Sequence, residues 1–221
     1  MLDKDTAIKQ IREAFGQTEY PGDHFLQGSF EGSEPSEVTE PFKGRTDWQG
    51  IDAELLDANY SALNFFSEGA LRFFLPAYLI ADVQAELQTA DPLFVLTHGF
   101  SDVSIEHQIG TRTFVRKTDQ STFINPRRYG GMTFYDYARY RLSVFIREEA
   151  QAIVAYLNYK READPYKLQD QAIEAALNLF WLERTAHAPT AASLKQHLKE
   201  EDDYLAAIIS ESSGGSAYQS R

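Results

Sequence analysis

The sequence contains no cysteine. That excludes disulfide bonds, thiolate metal sites and a cysteine nucleophile. It also contains no GxGxxG, no P-loop, no GxSxG elbow and no HExxH. The local signatures of dinucleotide binding, NTP binding, serine hydrolysis and zincin-type hydrolysis are therefore missing. No run approaches the roughly 18 apolar residues of a membrane span. The longest apolar stretch, 71–83, is broken by Arg72, Pro76 and Asp82. The opening MLDKDTAIKQIREAF lacks the continuous apolar core of a signal peptide, so a cytoplasmic location without membrane contact is expected. Positive charge is scarce too: 21 Lys and Arg against 33 Asp and Glu leave a net charge of −12. A body of that sign repels phosphate backbones at long range, so nucleic acid is not an expected partner.

What is present is helical patterning. The 221 residues suggest one domain, large enough to bury roughly 70% of its unfolded surface without covalent staples. Asp3 or Asp5 can cap a first helix whose Ile8, Ile11 and Phe15 share a face, with Gly16 as its stop. Residues 27–50 are Gly/Pro-bearing, acidic and without periodicity, and read as a long loop pinned to the body by Phe25, Phe30, Phe42 and Trp48. A helix is expected over 52–66. Ser67 can cap the next one, whose Leu71, Phe74, Leu75, Tyr78, Leu79, Val83 and Leu87 make a helical stripe. Pro76 lacks an amide proton and collides with the carbonyl four residues back, which predicts a break or kink between Leu75 and Pro76. Short segments around Thr111–Val115 and Thr122–Ile124 read as a small β-hairpin.

Further helices follow. One carries Ala150, Ile153, Val154 and Leu157, with Glu148 and Glu149 at its start and Lys160 and Arg161 at its end, matched to the helix dipole. Another opens at Asp164-Pro165 and carries Ile173, Ala176, Leu177 and Phe180; a last one is capped by Thr190 and carries Leu194, Leu198, Leu205, Ile208 and Ile209. The fold class expected is mainly α: a bundle-like helical array in one domain over 1–209, with at most a small β-hairpin. A polar tail over 210–221 is expected to be disordered.

Charge is segregated along the chain. Residues 31–57 carry eight acids against Lys43 and Arg45, while 111–141 carry seven bases against Asp119 and Asp136. The simplest expectation is that the two segments neutralise one another within the molecule.

Three stretches look familiar together: Tyr20-Pro21-Gly22-Asp23, Phe73-Phe74-Leu75-Pro76-Ala77-Tyr78, and FIREEAQAIVAYL over 145–157. They resemble a family of uncharacterised bacterial proteins catalogued only as a domain of unknown function. The resemblance covers most of the chain and implies a helical architecture without implying an activity. Members place Thr or Ser where this chain has Ile146, so the usual N-cap ahead of Glu148 and Glu149 is replaced here.

Candidate chemistry is sparse. Asp23 and His24 follow the Pro21-Gly22 turn. With His98 or His107 they would make an acid–base or metal-ligating set, since imidazole titrates near neutrality and a carboxylate can orient it. The structural alternative, a turn carboxylate capping free amides, matches Pro-Gly-Asp better. No His pair has zincin spacing, so no metal or other cofactor is expected. Arg127, Arg128 and Tyr129, followed by Tyr135, Tyr137, Arg139, Tyr140 and Arg141, place guanidinium forks beside rigid rings, the chemistry of an anion or acidic-peptide contact. The function expected is a non-catalytic protein-binding module, regulatory or immunity-like in kind. The alternatives are a hydrolase centred on Asp23 and His24, with a third group from the His98 or Arg127 region, and an anion site at Arg127 and Arg128.

Overall fold

Leu26–Gly28 runs antiparallel to Phe65–Ser67, with Gly28 N–H on Phe65 O and Ser67 N–H on Leu26 O. The approach is close: a Cβ on Gly28 would meet Phe66 O at 2.8 Å, which explains glycine there. Ser67 then starts the central helix. Its hydroxyl oxygen accepts from Ala70 N–H at 3.0 Å and donates to Phe25 O at 2.6 Å. The computed structural model describes residues 3–100, 104–110, 112–117, 122–123 and 128–214.

In these residues the protein is mainly α. The helices are α1 (Lys4–Phe15), α2 (Glu34–Thr39), α3 (Ala53–Ala58), α4 (Ala62–Phe65), α5 (Glu68–Val83), α6 (Pro92–Thr97), α7 (Phe134–Arg141), α8 (Arg147–Ala163), α9 (Asp170–Ala176), α10 (Leu182–Ala186) and α11 (Ala191–Gly214). A π turn over Leu177–Trp181 joins α9 to α10. Two antiparallel pairs complete the fold: β1 (Ser104–Ile109) with β2 (Arg112–Lys117), and β3 (Thr122–Phe123) with β4 (Gly131–Met132).

Central α5 is apolar around most of its girth and buried on nearly every side, as a core helix should be. It is one helix through Pro76, so of the expected break or kink the break does not occur. An interior proline costs about 3 kcal/mol. Leu71, Phe74, Leu75, Tyr78 and Leu79 are all fully buried, and their burial on one continuous rod outweighs that cost. α1 lies on α5 and α8 through Ile11 and Phe15. α8 is tied to α5 at two levels. Arg72 reaches Glu149 with a two-point contact of 2.7 and 2.9 Å, and Asp82 accepts from Tyr156 Oη and from Lys160 Nζ. Glu149 also accepts Ile146 N–H at 3.0 Å, the half of a capping box made from inside the helix; the other half, a side-chain acceptor for the N3 amide, is one that Ile146 lacks.

The 27–50 segment is more structured than expected. Pro35 and Thr39 bury one face of α2, and Phe42 and Trp48 anchor 3₁₀ turns on the core, while Phe25 and Phe30 are only half-buried. The helix expected at Asp164 starts instead at Asp170. Asp164 caps a turn, accepting from Tyr166 N–H and Leu168 N–H, and Lys167 sits at φ 56°, outside helical space. The strand pairing also differs from expectation. The 112–117 strand turns back on 104–109 through Gly110 at φ 64°, while 122–123 pairs with 131–132. Thr111, Asp119, Gln120 and Ile124 lie outside the described residues. α11 continues as helix through residues 210–214, where the tail was expected to begin, and 215–221 lie outside the described residues.

Candidate functional site

Glu68 opens α5 and is buried. A carboxylate in the first turn suits the positive end of the helix dipole, but burial strips its water and demands partners. It has three. Arg128 Nη2 donates to Oε2 at 2.8 Å, Tyr129 Oη donates to Oε1 at 2.6 Å, and His197 Nε2 lies 2.7 Å from Oε2. The other guanidinium arm, Nη1, donates to Glu201 Oε1 at 2.9 Å. Glu201 comes from α11 and caps α5 from outside. Glu68 N–H donates to its Oε1 at 2.8 Å, and Gly69 N–H to its Oε2 at 2.9 Å.

Around this cluster stands an aromatic wall. The Arg128 guanidinium carbon is 5.0 Å from the Tyr129 ring centre, 5.9 Å from Tyr140 and 5.5 Å from Tyr204. His197 rests against Tyr140, ring centres 5.0 Å apart. A cavity of about 180 Å³ adjoins it, lined in part by Ser29, Asn64, Tyr137 and Arg141.

One cation between two buried carboxylates makes their titrations diverge. Burial opposes the charge on Glu68, but its bonds to His197, Arg128 and Tyr129 outweigh that and hold it below the ordinary glutamate value. Glu201 goes the other way. Burial and the facing Glu68 carboxylate push it up to about 7, against Arg128 and the two amides. Burial likewise raises Tyr129 far out of reach of neutral pH. Because the folded-state value of Glu201 lies above its ordinary 4.5, the stability linked to it is fully present below that value and is lost as pH rises through about 7. The urea midpoint is therefore expected to fall between about pH 5 and 8, and Glu201→Gln to flatten that slope. An unchanged slope in the variant would refute the assignment. The shift of Glu68 has the opposite sign and acts only at lower pH.

The residues expected to form a site are dispersed. Asp23 Oδ1 accepts from Tyr20 Oη and from Gly44 N–H, closing the base of the 24–43 segment. The bond from Tyr20, then the one from Gly44, holds its carboxyl low. His24 is exposed. His98 stacks on Phe94 at 4.6 Å and meets Phe134 edge-on at 5.6 Å; lost hydration lowers its pKa. His24 adds a weak electrostatic pull on Asp23, but among the described residues no hydrogen bond or ion pair links His98 to either. Arg128 and Tyr129 do belong to one cluster, with the Arg128 fork engaged by Glu68 and Glu201. Arg127 and the side chain of His107 lie outside the described residues. Among the described residues no three His, Asp or Glu side chains are grouped to hold a metal ion, and no helix is long and apolar enough to cross a membrane.

Sequence reasoning missed Glu68, His197 and Glu201. A signal existed for the last. Leu194, Leu198, Leu205 and Ile208 mark one stripe of α11, and Glu201 occupies the stripe position between Leu198 and Leu205. A carboxylate on an apolar stripe implies a buried partner.

The fold and this cluster define a mainly helical protein whose central helix is capped by a buried carboxylate–guanidinium network. The chain belongs to the family of unknown function DUF6714, whose profile matches residues 3–185. No curated protein and no solved structure matches it. The match includes Glu68, Arg128 and Tyr129 and ends before α11, which supplies His197 and Glu201.

Proposed function

We propose that this protein is a non-catalytic protein-binding module, regulatory or immunity-like in kind, which docks its acidic 31–57 face on a basic surface of a partner protein. The observation carrying this is where the charges go. Glu31, Glu34, Glu37, Glu40, Asp47, Asp52 and Glu54 are all exposed. Among the described residues the ion pair made by this set is the local one between Glu40 and Lys43, at 2.6 Å. Three bases of the 111–141 segment, those whose side chains are described, are engaged elsewhere. Arg128 holds Glu68 and Glu201, Arg139 holds Leu179 O and Glu183, and Arg141 donates to Leu63 O. Arg128, Arg139 and Arg141 thus take no part in neutralising the acidic face, and the side chains of the other bases of the segment lie outside the described residues. Tyr60, 54% exposed, stands next to Ser61, whose hydroxyl reaches Glu34, and offers an aromatic anchor. The hydrolase reading has less support, because the Asp23 oxygen that would orient a base is occupied by Tyr20 and Gly44.

Partners captured from the cell of origin can be identified by mass spectrometry after cross-linking, then purified and tested singly. A basic partner cross-linked at Lys43 is expected. Association should slow as salt rises, and replacing Glu31, Glu34, Glu37 and Glu40 together by Gln should cut the on-rate by about tenfold or more. Unchanged on-rate and salt dependence in that variant, or a partner surface of the same sign, would overturn the proposal.

A further inference from the structure

The last helix is attached differently from the rest of the fold. Four observations converge on α11. It lies beyond the family-matched residues, after a Pro189-Thr190 break. Its fully buried positions include Leu205 and the carboxylate Glu201, so a single charged contact sits in the middle of its seat. That contact is addressed wholly to another element: Glu201 takes the two amides that open α5 and one arm of Arg128, while His197, one turn earlier, reaches Glu68. Finally, its first half packs on the body through Leu194 and Leu198 but leaves open space beside that contact. An open groove of about 1090 Å³ runs beneath it, with Tyr20, Pro21, Gly69 and Arg72 on one side and Leu194 and Leu198 on the other.

We propose that α11 is a latch, a helix that swings off the end of α5 as a unit, with Glu201 as the bolt that engages Arg128 and the α5 amides. In the closed state the bolt caps the helix and hides the cluster. In the released state Arg128, Tyr129 and the first amides of α5 face solvent, and the groove loses one wall. The hinge is the non-helical link 187–190, from His187 at φ −122° to Thr190. The body that remains coincides with the family-matched part of the chain, whose core helices α1, α5 and α8 pack on one another without α11. The latch is independent of the acidic face, which lies on other elements.

Native-state hydrogen exchange on the full chain tests this. Amides over 191–209 should exchange through an opening that leaves α5 beyond its first turn and α8 protected. Glu201→Ala should accelerate exchange in α11 by at least about tenfold, with α8 unchanged. Leu205→Ala, which spares the charged cluster, should do the same. Equal exchange in α11 and α8 of the native protein would overturn the proposal. So would variants that accelerate both helices together, or neither.

Discussion

Arg128→Met lowers stability by about 3–5 kcal/mol near pH 8, and by distinctly less near pH 5.5. The reasoning starts from the one-to-two stoichiometry. Arg128 bridges Glu68 and Glu201, and both carboxylate side chains are only 2% exposed. Methionine keeps an unbranched stem to lie among the rings of Tyr129, Tyr140 and Tyr204, so the change isolates charge from packing. Without the guanidinium, two buried like charges face one another with only amides, a phenol and His197 for company. Such a pair takes up a proton sooner than remain doubly ionised. Its folded-state affinity for protons then exceeds that of the unfolded chain, and stability falls as pH rises. Urea denaturation at the two pH values measures both effects. A loss below about 1 kcal/mol at both would mean that water already reaches the cluster and that Arg128 is ornamental to the fold.

This cluster also shows where sequence reading reaches its limit. The stripes of α5 and α8 were legible because helical neighbours are sequence neighbours: Leu71, Phe74, Leu75 and Tyr78, or Ala150, Ile153 and Leu157, repeat at the helical period and are all buried. Asp23 was read as capping amides of its own turn, but the amide it takes is that of Gly44, 21 residues on, a partner no local rule supplies. Of the break or kink expected at Pro76 the break is absent, because a local penalty was weighed without the tertiary burial that overrides it. Phe42 and Trp48 were read as anchors of 27–50 and are buried, but the ordering between them was misread because Pro35 and Thr39 have no regular spacing and gain meaning only from the hydrophobic wall they meet. The cluster was out of reach because Arg128 lies 60 residues from one partner and 73 from the other. The stripe of α11 marks Glu201 as buried, but nothing in a linear pattern pairs it with Arg128 or selects Glu68 from 33 acidic residues.

Phe42→Ala removes the anchor of the acidic segment and costs about 3–5 kcal/mol. Phe42 is fully buried. Its ring stands edge-on to Phe66 at 4.9 Å and to Phe74 at 5.0 Å, and lies parallel to Tyr78 at 6.4 Å. Truncation forfeits these contacts and leaves a void against α5, whose backbone is held from every side and cannot move in to fill it. The loss should not be confined to one residue. Thr39 and Trp48 flank Phe42 along the chain, and Trp48 Nε1 donates to Phe15 O at 3.3 Å, so the segment is fastened to α1 and α5 at successive points. Loosening the middle fastening frees the backbone that carries Glu31, Glu34, Glu37 and Glu40. In a Trp181→Phe background, tryptophan fluorescence reports this through Trp48 alone, because the indole beside α1 becomes wet when the segment lifts. The expected result is a lower urea midpoint by tryptophan fluorescence and circular dichroism alike, with a weaker on-rate for the basic partner even where the fold survives. A midpoint unchanged within about 1 kcal/mol would mean that the segment is held without Phe42, and that the acidic face does not depend on the aromatic core for its shape.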